Sequence, residues 1–310
     1  MTAEAPEAEL DNDEDHEWRD TERGALMDFT EETATAAVVG SFANTRDPRL
    51  REILEKLVPH VHAFVRETRL TLPEWEAAIE FLTAAGQKCD DTRQEFILLS
   101  DVLGVSMLVE TINGQQDGTE STVLGPFHMT ESPPRENGHS IDLLGGAMPC
   151  VVTGRVLDVD RRPLADATVD VWQCSEDGFY DVQQPGVQPP GNGRGLFHAD
   201  EGGRFWFRTV VPSHYPIPTD GPVGRLLLAT NRHPYRPAHI HFIAAAPGHT
   251  TLTTHIFVAG GPYLDSDAVF AVKKSLVADF AEVNDDDAAA AFGVTTPFRQ
   301  ADIDLVLERM

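Results

Sequence analysis

The chain changes its hydrophobic rhythm once, near residue 120. Upstream of that point, apolar positions recur three and four residues apart, as they do along one face of a helix. Leu50, Ile53, Leu54, Leu57 and Val61 follow Pro48 with this spacing. Thr71-Leu72-Pro73-Glu74 opens a second such segment, with Trp75, Ala78, Ile79 and Leu82 on one face and Gly86 near its end. Proline in a first helical turn loses no hydrogen bond, so Pro73 marks a start. A third helix is predicted from about Thr92 to Ile112, carrying Phe96, Leu99, Leu103 and Met107 and ending at Asn113-Gly114. Downstream the pattern is one of short β-rich runs between Pro/Gly clusters. Strands are predicted at 150–159, 167–173, 204–211, 225–229, 239–245 and 252–258, with a last helix over 266–280 that has Asp267 near its start. The pattern therefore predicts an α+β chain, helical over 33–120 and an antiparallel β-sandwich over 121–310.

Charge adds a third region. The 310 residues carry 50 acidic and 24 basic side chains, a net −26. The first 32 positions hold 13 of the acids against Arg19 and Arg23, a net −11 that leaves −15 for the rest. The segment 1–32 is expected to be a solvated, mobile tail. So acidic a chain lacks the basic footprint of a nucleic-acid binder or a polybasic membrane anchor. The N-terminus has no apolar signal-like stretch, and no apolar run reaches the roughly 18 residues of a membrane span. Cys89, Cys150 and Cys174 are odd in number and widely spaced, which makes neither a zinc pattern nor a disulfide framework. A reduced, cytoplasmic protein is the simplest expectation.

The sharpest local feature is Arg236-Pro237-Ala238-His239-Ile240-His241-Phe242. On a strand, His239 and His241 share one face while Ile240 and Phe242 take the other. Two adjacent imidazoles suit a metal, but they equally describe two histidines on a surface strand, and the spacing alone decides neither. The chain has four tyrosines, two of which sit at long loops, 184–195 and 212–224. Tyr180 borders the first and Tyr215 lies within the second. Loops of this length are usually functional or disordered. A phenol ionises near pKa ~10, so tyrosinate at neutral pH requires a strong cation nearby, and its hard oxygen suits ferric iron. Taken singly, each tyrosine reads as an ordinary half-buried aromatic.

Tyr180, Tyr215, His239 and His241, in that order and with Arg236 just before the histidines, resemble the intradiol ring-cleaving dioxygenases. The resemblance runs from about Leu98 to Phe280 and includes Gly154-Arg155-Val156, Val171-Trp172-Gln173, Gly178-Phe179-Tyr180 and Val258-Ala259-Gly260. It implies a helical dimerisation domain before a β-sandwich catalytic domain, a homodimer, and a lipid bound at the dimer interface. It also implies Fe(3+), one ion per subunit, in an enzyme that opens catecholic rings with O2 between the two hydroxyls. Tyr180 and His239 match the equatorial ligands, and Tyr215 and His241 the axial ones. Tyr215 would also accept a substrate proton, and Arg236 would stabilise negative charge on the ring. The implied substrate cavity is lined by Leu98, Asp101, Val123, Leu124, Gly125, Pro126, Phe127, Ile217, Pro218, Arg236 and Val269.

One position narrows the substrate. His255 stands where the catechol-cleaving members carry glutamine, and this points to the branch that takes hydroxyquinol, 1,2,4-trihydroxybenzene. His255 is expected to support the ligands from behind rather than to be a fifth one. Asp101 is expected to receive the extra ring hydroxyl. The alternatives are a catechol or chlorocatechol 1,2-dioxygenase with the same metal chemistry, and a non-catalytic β-sandwich that binds a metal.

Overall fold

The computed structural model describes residues 28–90, 93–128 and 131–310. Residues 1–27 of the tail expected over 1–32 lie outside them. The chain forms two compact units, divided between Ala78 and Ile79. That division differs from the expected 33–120 and 121–310, although helix does give way to strand between Asn113 and Cys150.

The first unit holds α1 (Ala34–Gly40), α2 (Pro48–Thr68) and the start of α3 (Leu72–Lys88). Asp47 caps α2, its carboxylate accepting from the backbone N–H groups of Arg49 and Leu50 at 2.8 and 3.2 Å. The predicted stripe is present on α2. Leu50, Ile53, Leu57, Val61 and Phe64 remain between 45% and 55% exposed on the single chain.

The second unit contains α4 (Glu95–Val102) and α5 (Val105–Asn113) where one helix was predicted. The break falls at Gly104, whose φ of +71 no helix accommodates. Thr92 itself is outside the described residues. Helix α6 (Pro222–Ala229) replaces the strand predicted at 225–229. Pro222 sits in its first turn, and Val223 and Leu227, four apart, are both buried. Fully buried Glu95 joins α4 to α6 by accepting from the Val223 N–H at 3.0 Å while pairing with Arg93 at 2.8 Å.

Two sheets pack face to face. One has the order β10 (Ala281–Val283), β11 (Phe298–Leu307), β1 (Cys150–Asp158), β4 (Arg204–Thr209). The other runs β3 (Arg194–His198), β2 (Thr168–Trp172), β7 (His239–Ala245), β8 (Leu252–Val258), β9 (Val277–Ala278). Val152, Phe205, Phe207, Ile303 and Leu305 from the first sheet meet Val169, Val171, Phe197, Ile240, Phe242 and Ala244 from the second in one core. The sandwich is as expected, but the sheets are mixed: β1 pairs with β11, and β8 with β9, in parallel. A two-stranded ladder, β5 (Tyr215–Pro216) with β6 (Tyr235–Arg236), stands apart from both sheets.

The late helix predicted over 266–280 is absent. That stretch holds turns, a 3-10 turn at Lys274–Leu276, and β9. The Asp267 carboxylate accepts from the Val269 and Ala271 N–H groups, and Phe270 takes φ +60, so the chain closes a tight turn there instead of a helix. The helix in this part of the chain is α7 (Asp286–Phe292), capped by the Asp285 side chain.

Candidate metal centre

The pleat of β7 sorts its side chains as the sequence predicted. Ile240, Phe242 and Ala244 enter the core between the sheets, and His239 and His241 take the opposite face. Cross-strand register sets the neighbours of His241: Trp172 on β2 and His255 on β8 lie directly opposite it. Trp172 stacks on the His241 ring at 4.5 Å with an interplanar angle of 14°, and His255 meets it edge-on at 4.2 Å. The tyrosines arrive from elsewhere. Tyr180 follows β2 at the head of a 3-10 turn, and Tyr215 is held in β5 directly opposite Arg236 of β6.

These four side chains converge. Tyr180 Oη lies 3.2 Å from Tyr215 Oη and 3.0 Å from His241 Nε2. His239 Nε2 is 3.4 Å from Tyr215 Oη and 3.1 Å from His241 Nε2. Donors about 2.0–2.2 Å from a shared cation, in tetrahedral or five-coordinate geometry, lie about 2.8–3.6 Å from one another. All four separations fall in that window. His239 Nδ1 donates to the Pro237 carbonyl at 2.7 Å, so its Nε2 carries the lone pair and turns it toward the other three donors. The donor set therefore fits a hard trivalent ion, with two neutral imidazoles and two phenols that a cation would ionise.

Electrostatics agree with that fit. Burial pushes the pKa of His239, His241 and His255 well below the ordinary 6.5, which keeps them neutral and able to ligate. Burial also holds the Tyr180 phenol well above its ordinary 10 and raises Tyr215, where the nearby Arg236 guanidinium opposes the shift. Arg236 is buried, with Nη1 3.3 Å from His239 Nε2 and 3.5 Å from Tyr215 Oη, while Nη2 has no hydrogen-bond partner.

His255 lies in the same cluster, and its nitrogen falls within 4.8 Å of those of His239 and His241. Its Nδ1 shares a 2.7 Å hydrogen bond with the Thr122 hydroxyl, and its Nε2 is unpartnered. The structure thus places it against both histidines, anchored from behind.

Of the expected cavity residues, Phe127 stacks on the Tyr180 ring at 4.5 Å, and Gly125 backs directly onto His241. Leu98, Ile217 and Val269 are buried together in the main core with Val123 packed against them. Asp101 is 6% exposed, and its Oδ1 has no hydrogen-bond partner. Burial raises its pKa, and the field of Arg236 acts against the rise. Leu124 and Pro126 are exposed, and Pro218 is half-buried.

Sequence reading passed over three residues that shape this site. Trp172 was detectable, since the alternation that turns Val169 and Val171 inward places it on the histidine face. Thr122 and Asp267, whose carboxylate meets Arg236 Nε at 3.3 Å, depend on contacts between distant segments and carry no local signal.

Comparison with known proteins gives the same assignment. Residues 128–308 match the family model described as "Dioxygenase", and 47–120 match "Catechol dioxygenase N terminus". The chain belongs to the intradiol ring-cleaving dioxygenase family. Within it, the hydroxyquinol 1,2-dioxygenase of Rhizobium sp. is 51% identical over 284 residues, covering 91% of this chain and 96% of that protein. The crystal structure of hydroxyquinol 1,2-dioxygenase from Pseudomonas putida aligns with a TM-score of 0.84 at 48% identity, over 90% of this chain and 99% of that one. Catechol 1,2-dioxygenase from an Acinetobacter aligns with a TM-score of 0.77 at 29% identity, over 92% and 95%. Membership carries with it a non-haem iron cofactor.

Proposed function

We propose that this enzyme is a ferric intradiol dioxygenase that opens hydroxyquinol with O2 to 3-hydroxy-cis,cis-muconate, the enol form of maleylacetate. The observation that carries this is the convergence of Tyr180, Tyr215, His239 and His241 beside a buried arginine. Those four would hold one Fe(3+) per subunit. When bound, the ion would supply the Lewis acidity that ionises the two phenols and the hydroxyls of the substrate diol. Tyr215 Oη takes up one diol proton, and Arg236 Nη1 at 3.5 Å gives it a hydrogen-bond partner apart from the other donors. Arg236 also offers Nη2, which nothing else engages, to negative charge developing on the ring. His255, tied to Thr122, keeps both histidine rings from rotating and does not ligate.

Asp101 favours hydroxyquinol over catechol. Its unpartnered Oδ1 accepts a hydrogen bond from the third hydroxyl, and a substrate without that group leaves the buried oxygen unsatisfied. Leu98, Val123, Leu124, Gly125, Pro126, Phe127, Ile217, Pro218 and Val269 form the apolar wall around the ring. The Rhizobium and Pseudomonas putida relatives, each about half identical to this chain, are named for the same substrate. Two copies are proposed to pair through the helical segment, burying the exposed apolar stripe of α2. All three cysteines are free, in keeping with the cytoplasm, and among the described residues no helix is long and apolar enough to cross a membrane.

Turnover by the iron-loaded enzyme on hydroxyquinol, catechol and 4-chlorocatechol tests the substrate. A higher kcat/KM on catechol or 4-chlorocatechol would assign the chain to the catechol-type branch.

A further inference from the structure

The Arg236 guanidinium beside the ligands is itself held, and by a residue outside the ligand set. Arg236 Nε donates to Asp267 Oδ1 at 3.3 Å, and both side chains are about 97% buried. The carboxylate also closes its own turn, Oδ1 accepting from the Val269 N–H at 3.3 Å and Oδ2 from the Ala271 N–H at 3.0 Å. The turn is then fastened from three directions. Ala268 donates its N–H to the carbonyl of Tyr235, the neighbour of Arg236 on β6. Arg232, just beyond α6, joins the Ala268 carbonyl at 3.0 Å to the Val102 carbonyl at 2.6 Å, one residue past Asp101. Phe270 sits under the Arg232 guanidinium at 4.9 Å and against Gly104. Phe270 keeps φ +60, a conformation that persists only where its surroundings dictate it.

A guanidinium has five N–H donors in a fixed plane, so fixing Nε fixes where the other two nitrogens point. With Asp267 on Nε, Nη1 faces Tyr215 and His239, and Nη2 is left without a partner. A buried arginine without its carboxylate would turn toward other acceptors or draw in water. We propose that Asp267 is a positioning residue: it aims Arg236 at the reacting ring, and its turn ties that aim to the Val269 wall and to the end of α4 that carries Asp101. The proposal rests on the function given above, with Arg236 as the charge-stabilising group. Asp267 touches neither substrate nor ligands and acts through Arg236.

The test uses full-length, iron-loaded Asp267→Asn and Asp267→Ala, alone and in an Arg236→Leu background. Asparagine keeps an acceptor for the turn and removes the charge. Four quantities are read: the visible tyrosinate-to-iron band, the anaerobic substrate dissociation constant, kcat and Tm. For Asp267→Asn we expect the band unchanged, substrate affinity within about threefold of the parent, and kcat lower by roughly 10- to 100-fold, comparable to or below the loss of one preorganised donor. Asp267→Ala should lower kcat further and also lower Tm. In the Arg236→Leu background, either change should cost no further activity, and Asp267→Asn should raise Tm by relieving a buried unpaired carboxylate. Parent-like kcat in Asp267→Asn would overturn the proposal, as would losses that multiply with that of Arg236→Leu, or loss of the band together with activity. The parent enzyme, assayed alongside, separates this from failure of the function itself: a parent without band or ring cleavage refutes the function, whereas an active parent with indifferent variants refutes only the role of Asp267.

Discussion

Gly125 and His241 are in backbone-to-ring contact. A β-carbon added at Gly125 would stand 2.8 Å from Cε1 of His241, and the residue has φ +80. The loop before Phe127 thus abuts the Cε1 edge of the His241 ring, while Trp172 stacks on its face from β2.

Gly125→Ala should therefore damage the metal centre. The left-handed backbone costs about 1–2 kcal/mol for a residue with a side chain, and the new methyl must displace the imidazole. The expected outcome is iron content below one per chain after reconstitution, a shifted visible band, and kcat reduced at least tenfold. Iron analysis and an absorption spectrum check it. Full iron with an unaltered band would show that the loop can move away without loss.

The two tyrosines should differ in their effects. Tyr180 makes close contacts with both His241 and Tyr215, so Tyr180→Phe removes an oxygen donor that adjoins two others and should reduce iron affinity most. Tyr215 has Arg236 beside it, so Tyr215→Phe should retain more iron, weaken the red-brown band, and lower kcat through loss of the proton acceptor. Parallel iron titrations with spectra of the two variants measure the difference.

Removing the metal should make the fold acid-sensitive. His239, His241 and His255 have pKa values lowered by burial, so below about pH 6.5 the unfolded chain binds more protons than the folded one. Stability of the apoprotein should fall as pH drops below 6.5 and should be flat just above it. Iron, which binds only the folded state, should raise Tm by roughly 10 °C when present far above its dissociation constant. Thermal melts of apo and iron-loaded protein between pH 5 and 8 test both statements. A chelated protein equally stable at pH 5 and pH 8 would contradict the buried neutral histidines.

Asp101→Asn and Asp101→Ala should change selectivity more than catalysis. An unsatisfied buried polar group costs about 1–3 kcal/mol, so the hydroxyquinol-to-catechol ratio of kcat/KM should fall roughly 10- to 100-fold in the alanine variant. The fall should come from lost hydroxyquinol activity together with some gain on catechol. Steady-state kinetics on both substrates, at saturating oxygen, provide the check.

The site was more legible in the sequence than the fold around it. The order Tyr180, Tyr215, His239, His241 singled out four side chains through the family resemblance, and the structure brings them together, while strand alternation accounts only for the shared face of the two histidines. The same reasoning sent Ile240 and Phe242 into the core, where they are found. Helix α2 was legible through its spacing and Pro48. The segment 225–229 was misread because Arg225-Leu226-Leu227-Leu228-Ala229 is apolar without alternation, and Pro222, three residues upstream, was the informative signal. Gly104 splits the third predicted helix through one backbone angle. Strand β11 alternates Ala301, Ile303 and Leu305 inward, yet its parallel partnership with β1 joins segments almost 150 residues apart and has no local trace. The turn at Asp267 resembled a helix start because a side-chain cap and a side-chain turn use the same residue type.

The most direct test of the central claim is ring cleavage itself, measured with iron-loaded protein, hydroxyquinol and 18O2. The account predicts consumption of one O2 per hydroxyquinol, a dicarboxylic product cleaved between the adjacent hydroxyls with label from O2 in it, and a kcat/KM on hydroxyquinol above those on catechol and 4-chlorocatechol. An iron-replete, correctly folded protein that leaves the hydroxyquinol ring intact, or cleaves it outside the two adjacent hydroxyls, would contradict it.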